Sequence, residues 1–217
     1  SPRGMLLVAK AGDRDQFEHE HREFGLGTIS VIEARHKIPI LNPEMVQYAG
    51  CREDIYDIDT DLLLQNFRRE ALKNGAEIHI KSQVTALSYG DQRWTITTPN
   101  GVYRATILVN AAGAWADPLA QMAGLDPLSI TPYRRSMARI PAPAGHDVSS
   151  WPFMDEVGEA WYAKPDAGQL VVSPCEEHAT HPHDAWADDM VLAEGLARYE
   201  QMVTAPVSRM SANWAGL

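Results

Sequence analysis

The stretch Ala105 to Gly124, ATILVNAAGAWADPLAQMAG, is the part of the chain that leaves the fewest folds open. Ala105 to Val109 is a short, partly β-branched apolar run that predicts a buried strand, and it leads straight into the small-residue turn Asn110-Ala111-Ala112-Gly113. A helix is expected next. Asp117 can cap it, Pro118 can stand first because it has no N–H to leave orphaned, and Gly124 can supply the left-handed residue that closes it. Strand, tight turn and short helix make an α/β unit, and ligands bind at such turns. Side chains this small let a flat or anionic ligand approach the backbone. The same spacing serves a packed turn without a ligand equally well, so the pattern by itself leaves both open.

The preceding segment changes period in the middle. Asp59 or Thr60 is expected to cap a helix running to about Asn74, with Leu63, Phe67 and Ala71 on one face, Leu64 and Leu72 beside it, and Asn74-Gly75 as the stop. That face is expected to pack into a core. After Gly75 the apolar residues alternate: Ile78 and Ile80, then Val84 and Leu87, then Trp94, Ile96 and Thr98. Pro99-Asn100-Gly101 follows, and an Asn-Gly between alternating runs predicts a hairpin whose turn needs positive φ at its centre, returning through Val102 and Tyr103. Gly75 to Gly113 thus reads as a small antiparallel unit feeding the strand that ends in the tight turn.

The flanks read as a second set of elements. Met5 to Ala9 predicts a strand, and the charged run Asp13 to Phe24 an exposed helix and loop. Gly25-Leu26-Gly27-Thr28-Ile29-Ser30 superficially matches a dinucleotide fingerprint but follows EHEHREF rather than a buried strand and lacks the third glycine, so it is rejected. Ile32 to Tyr48 predicts a helical turn and then extended chain, because Pro39 and Pro43 prevent a long helix. Tyr133 to Ile140 predicts a strand carrying Arg134, Arg135 and Arg139, which could grip a carboxylate bidentately, although a solvated strand face is the commoner use. Trp161-Tyr162-Ala163 and Leu170 to Ser173, around Pro165-Asp166-Ala167-Gly168, predict a hairpin of a second sheet. Asp188 or Asp189 then caps a helix with Leu192, Leu196, Tyr199 and Val203 on one stripe, Pro206 ends it, and the tail begins a final strand.

Composition excludes several classes of function. The 217 residues are 45% hydrophobic, enough for one large or two small cores, and the net charge of -10 comes without clustered Lys and Arg, which argues against nucleic-acid or anionic-membrane surfaces. Cys51 and Cys175 form no CxxC pair, so neither a disulfide framework nor a zinc site is expected and a reducing compartment is the default. His19 and His21 would point to different helix faces, and His178, His181 and His183 lie in a proline-containing loop, so no metal site is expected. Neither a secretory signal nor an apolar run of about 18 residues is present, and the expectation is a cytoplasmic protein without stable membrane insertion. No Ser-His-Asp, paired-carboxylate or P-loop pattern rises above chance spacing, which leaves the catalytic residues unknown.

Together these segments resemble the FAD-dependent D-amino-acid oxidase superfamily, in the branch with glycine oxidase, sarcosine oxidase and D-amino-acid dehydrogenase. The matching stretches, in order, are DIDTDLLLQNFRREALKNGAEI, QVTAL, TTPNG, LVNAAGAWADPLAQMAG, TPYRR, WYAKPDAGQLVVSP and NWAGL. The resemblance implies an α/β (α+β) fold: a partial FAD-binding Rossmann-type domain with an antiparallel β-meander over 51-125, and a mixed-sheet substrate domain from 1-50 and 126-217. It implies FAD as cofactor, with Val84 in a strand that meets the adenine end, Ala111, Ala112 and Gly113 as the turn passing the cofactor, and Trp115 packing near it. Tyr162 matches the substrate-binding tyrosine that faces the flavin.

The resemblance also implies an activity: oxidation of the C–N bond of an amino acid or N-alkyl glycine to an imine. A 2-hydroxy-acid dehydrogenase of the same fold and a non-catalytic binding module are the alternatives. Two departures stand out. No strand-GxGxxG-helix opens the chain, and the WAGLR pattern of the family stops here at Leu217. The expectation is therefore an internal fragment, inactive in isolation, taking a small amino-acid-like substrate as part of the whole enzyme and open to homo-oligomer formation through uncovered sheet edges.

Overall fold

The computed structural model describes all 217 residues, Ser1 to Leu217. The first elements are β1 (Met5–Ala9), α1 (Arg14–Glu23), β2 (Gly27–Ile29), α2 (Val31–Lys37), β3 (Tyr48–Arg52) and α3 (Thr60–Lys73). Then come β4 (Ala86–Gly90), β5 (Arg93–Thr98), β6 (Gly101–Ala105), α4 (Ala116–Met122), β7 (Tyr133–Pro141) and β8 (Phe153–Glu156). The last are β9 (Tyr162–Asp166), β10 (Gln169–Ser173), β11 (His178–Ala179), α5 (Asp189–Met202) and β12 (Ala212–Gly216). The fold is mixed α/β, and the chain divides into two compact units. The larger holds Ser1–Ile58, Tyr133–His178 and Asp184–Leu217, and the smaller holds Asp59–Pro132 and Ala179–His183.

The larger unit is built on one sheet, in which β7, β10, β9, β8, β1, β3 and β2 lie side by side and β12 adds to the other side of β7. Every pair is antiparallel except β1 with β8, so the sheet is mixed. One face carries Leu6, Val8, Met154, Trp161, Ala163, Leu170, Val172 and Ile140, all buried against Tyr199 and Met202 of α5 and Ala34 of α2. Trp161 meets Tyr199 edge to face at 5.1 Å. Burying side chains of this size stabilises by about 1.5–3 kcal/mol each, which makes this face the main source of the unit's stability. On the opposite face α1 covers one end, packing Phe17 against Leu7, Ala9, Leu26 and Val157. The helices start as their sequences dictate. Ser30 and Glu33 close a capping box on α2, and Asp188 accepts the Met190 and Val191 amides to start α5.

The smaller unit joins α3 and α4 through the β4-β5-β6 meander. Asp59 caps α3 through the Leu62 amide at 2.8 Å, and Gly75 follows with φ +85°. Several expectations change here. The α3 face expected to pack is exposed: Leu62, Leu63, Leu64, Phe67 and Leu72 are all at least 41% accessible. Ile78 and Ile80 are exposed and enter no strand ladder, and Ile107 and Val109 are likewise exposed and unpaired, so the strand expected at Ala105 to Val109 is replaced by β6, which ends at Ala105. The β5–β6 hairpin forms with a different turn. Pro99 and Asn100 are its two loop residues, Thr98 pairs with Gly101, and the Thr98 hydroxyl donates to the Gly101 carbonyl at 3.0 Å. Its positive φ falls on Gly101, the first residue of β6, at +151°, whereas in the β4–β5 hairpin both loop residues, Asp91 and Gln92, have positive φ.

Candidate functional site

The tight turn begins with Asn110, whose side-chain amide donates to the Ala116 carbonyl at 2.8 Å and whose carbonyl oxygen accepts the Ala112 amide at 3.2 Å. These two bonds fold the backbone back on itself. Gly113 has φ +56°, yet a Cβ there would meet nothing within 4 Å, so the glycine serves backbone conformation and leaves the surface open. A single turn of 3-10 helix, Gly113–Trp115, then leads into α4. Asp117 and Pro118 do not start that helix as expected. Ala116 is its first residue, no side chain caps it, and the Asp117 carboxylate accepts the Leu128 and Ile130 amides at 2.8 and 2.9 Å, pinning the following segment. Gly124 closes the helix with φ +72°, as expected.

Around this turn Gln83, Val84, Ala112, Trp115, Pro118, Leu119 and Met122 enclose a cleft of about 430 Å³. Three of the positions assigned to the cofactor, Val84, Ala112 and Trp115, therefore meet in one place, and Ala111 and Gly113 flank Ala112 on the exposed rim. Val84 lies in an irregular stretch just ahead of β4 rather than in a strand, since the ladder begins only at Thr85, whose amide donates to the Thr97 carbonyl. The walls are an indole, a prolyl ring and aliphatic chains, with Gln83 as the polar member. Such a cleft fits the ring-bearing part of a dinucleotide. It holds no lysine or arginine, so phosphates would rely on groups other than these seven. Sequence reasoning missed Pro118, Leu119 and Met122, although their spacing along α4 places them on neighbouring turns.

The larger unit offers a second candidate surface, the part of its sheet that α1 leaves open. Tyr162 pairs with Asp155 on one side and Ser173 on the other, and Ser173 and Trp214 lie on either side of Met137 across the next strands, so these side chains share a face with Arg135 and Arg139. Tyr162 is half-buried, packs on Phe153 at 5.1 Å, and donates its hydroxyl to Met137 Sδ at 3.2 Å. Burial raises its phenol pKa and keeps the group a donor. The three arginines are not a free clamp. Arg134 bonds Asp188 at 3.4 Å, Arg135 bonds Glu159 and Glu177 at 3.2 and 2.8 Å, and Arg139 bonds Asp166 while lying 5.4 Å over the Trp214 ring. Burial pushes Asp155 up to about 7, with the charges of Glu20 and Glu159 adding to the effect, and pushes the Cys175 thiol up to about 12. Asp155, Met137 and Trp214 were not singled out from the sequence; alternation from Arg135 along its strand would have found Met137, whereas Asp155 and Trp214 join the face only through strand pairing.

Elsewhere, no group of three or more His, Cys, Asp or Glu side chains is placed to hold a metal ion. No helix is long and apolar enough to cross a membrane.

Comparison with known proteins extends this picture. Human mitochondrial dimethylglycine dehydrogenase is 26% identical over 156 residues, 70% of this chain and 18% of that protein. The L-alpha-glycerophosphate oxidase of Mycoplasma pneumoniae, solved with FAD bound, superposes with a TM-score of 0.80 at 22% identity, over 99% of this chain and 60% of that one. The glycine oxidase of Geobacillus kaustophilus gives a TM-score of 0.75 at 19% identity, over 99% and 58%. The chain thus spans under a fifth of the dehydrogenase and about three fifths of the two oxidases. At these identities the superpositions establish a shared fold, while the family follows from a match to FAD dependent oxidoreductases that runs over residues 1–217. The chain belongs to the FAD dependent oxidoreductase family, whose cofactor is FAD.

Proposed function

We propose that this chain serves a flavin-dependent oxidation of the C–N bond of an amino acid or N-alkyl glycine to an imine, which water then hydrolyses. The observation that carries the reading is the meeting of Val84 with Ala112 and Trp115, from a distant part of the sequence, around one apolar cleft. The similarity to dimethylglycine dehydrogenase supports the choice of an N-alkyl glycine. On this reading residues 51-125 contribute to the cofactor side, and 1-50 and 126-217 form the substrate side.

FAD supplies the acceptor for the two electrons that leave the carbon with its hydrogen. What remains for the chain is binding and orientation. The backbone of Ala111 to Gly113 and of Val84 meets the cofactor, and the Trp115 indole walls it. Tyr162 holds a proton on its hydroxyl and turns it from the weakly accepting Met137 sulfur to the substrate carboxylate, a stronger partner. Met137 and Phe153 exclude water around it.

The test uses the full-length protein. Purified material should carry flavin absorbance, and dimethylglycine, sarcosine, glycine and D-amino acids should yield imine-derived products where 2-hydroxy acids do not. Tyr162→Phe should raise KM about tenfold, the loss of one hydrogen bond to a charged group, with a smaller change in kcat. Ala112→Leu should fill the cleft and lower FAD occupancy. A colourless full-length protein that stays colourless on adding FAD would sink the proposal, and turnover confined to 2-hydroxy acids would replace the amine by an alcohol.

A further inference from the structure

Asp155 is an acid that the proposed reaction does not use, and its setting is unusual. It stands in β8 as the direct cross-strand partner of Tyr162, is 9% accessible, and its Oδ1 is buried without a hydrogen-bond partner. Acids surround it. Glu20 of α1 is buried above the same face, its carboxylate accepting the Gly158 amide at 2.8 Å, and Glu159 follows in the turn after β8. Glu156, next in the chain, is paired across the other side of the sheet with Lys10 at 2.9 Å. The nearby cation is Arg135 of β7, tied to Glu159 and to Glu177, while Tyr162 of β9 and Cys175 beyond β10 complete the neighbourhood. A bare carboxylate in such a place is unfavourable twice over, through lost hydration and through like charge.

We propose that Asp155, buried beside Tyr162 with one carboxyl oxygen unpartnered, is a positioning residue that keeps this sheet face receptive to a carboxylate-bearing substrate. The inference rests on the reading that Tyr162 receives the substrate carboxylate. While Asp155 keeps its proton, Arg135 is balanced only by the exposed side chains of Glu159 and Glu177, which an arriving carboxylate can displace. When Asp155 loses its proton, a fixed negative charge appears in low dielectric beside the binding face. It repels the substrate and competes for Arg135. Burial places that change at a pH of about 7, within the working range of most enzymes.

The experiment uses the full-length, FAD-loaded protein and two readouts between pH 6 and pH 9: the KM and kcat for dimethylglycine, and calorimetric binding of acetate, a carboxylate with no C–N bond to oxidise. The wild-type protein should lose about tenfold in acetate affinity, and its KM should rise by a similar factor with little change in kcat, the size expected for one charge at the edge of a partly screened site. Asp155→Asn should flatten both profiles at the low-pH level. Glu20→Gln keeps the acceptor for Gly158 but removes a charge that holds the proton on Asp155, so it should move the midpoint to lower pH without abolishing the transition. Acetate affinity that falls equally in wild type and Asp155→Asn, or no acetate binding in either, overturns the role of Asp155. If dimethylglycine is not turned over while acetate still shows the Asp155-dependent fall, the amine reading fails and the positioning role stands.

Discussion

Helices α3 and α5 are each fourteen residues long, each begins at an aspartate whose carboxylate accepts a backbone amide, and each carries an apolar stripe. Their fates differ. Leu192, Gly195, Tyr199 and Met202 of α5 are buried on the large sheet, whereas α3 buries nothing and leaves Phe67 68% accessible. Amphipathic spacing and caps are enough to specify a helix in both units. They do not specify burial, which needs a facing surface of matching shape. The larger unit supplies one through Trp161, Leu170 and Val172, and the three strands of the smaller unit do not. Stability in this chain is therefore concentrated in the larger unit, and the candidate cleft sits in the unit with the less buried framework.

The comparison can be broken or sharpened by measurement. The largest effect is expected from the buried acid. The pKa of Asp155 is raised from 3.8 to about 7 in the folded state, so the stability it allows is fully present below about pH 4 and is lost as pH rises through 7. Relative to Asp155→Asn, the wild type should lose about 4 kcal/mol over that window, read by denaturant unfolding at several pH values. A flat difference would mean that the carboxyl is hydrated in solution. Next, Leu192→Ala should destabilise by about 3 kcal/mol and Phe67→Ala by less than about 0.5 kcal/mol. Equal losses would show that α3 is covered in solution, and the contrast between the helices would vanish.

Smaller effects test finer points of the contrast. Gly195→Ala should destabilise by about 2 kcal/mol, because the new Cβ would lie only 2.8 Å from Pro174 Cα and neither backbone can give way cheaply. Gly75→Ala, at the end of α3, meets no neighbour and should suffer only from its φ of +85°, by about 1 kcal/mol. Finally, Asp188→Ala and Asp59→Ala should each remove about 1 kcal/mol of helix stability, because capping is local and indifferent to burial. A cap that matters in only one of the two helices would show that tertiary contacts, not the end amides, hold that end in place.

Much of the architecture was legible because it rests on local chemistry. The caps at Asp59 and Asp188, the stops at Gly75 and Gly124, the strand Met5–Ala9 and the hairpin around Ala167 and Gly168 all follow from side-chain size, hydrogen-bonding capacity or backbone freedom within a few residues. The failures are equally instructive. Ile78, Ile80, Ile107 and Val109 have the composition of strand residues, but a strand is completed by a neighbour's amides and carbonyls, which no local pattern contains. Asp117 has the composition of a cap, yet its carboxylate found the Leu128 and Ile130 amides instead. Of the candidate site, Ala112, Trp115 and Val84 were reached through family resemblance, and the walls Pro118, Leu119 and Met122 are set by the folded structure.

The sequence by itself determined where α3 and α5 begin, where α3 and α4 stop, and that a bend free of bulk follows Asn110. Only the tertiary structure decided which apolar faces are covered, which face Tyr162 shares with Asp155, and that Arg134, Arg135 and Arg139 are already paired with carboxylates of the same chain. The physical reason is range. Backbone torsion and capping act over one or two turns, whereas burial, ion pairing and proton affinity depend on groups brought together from distant parts of the chain.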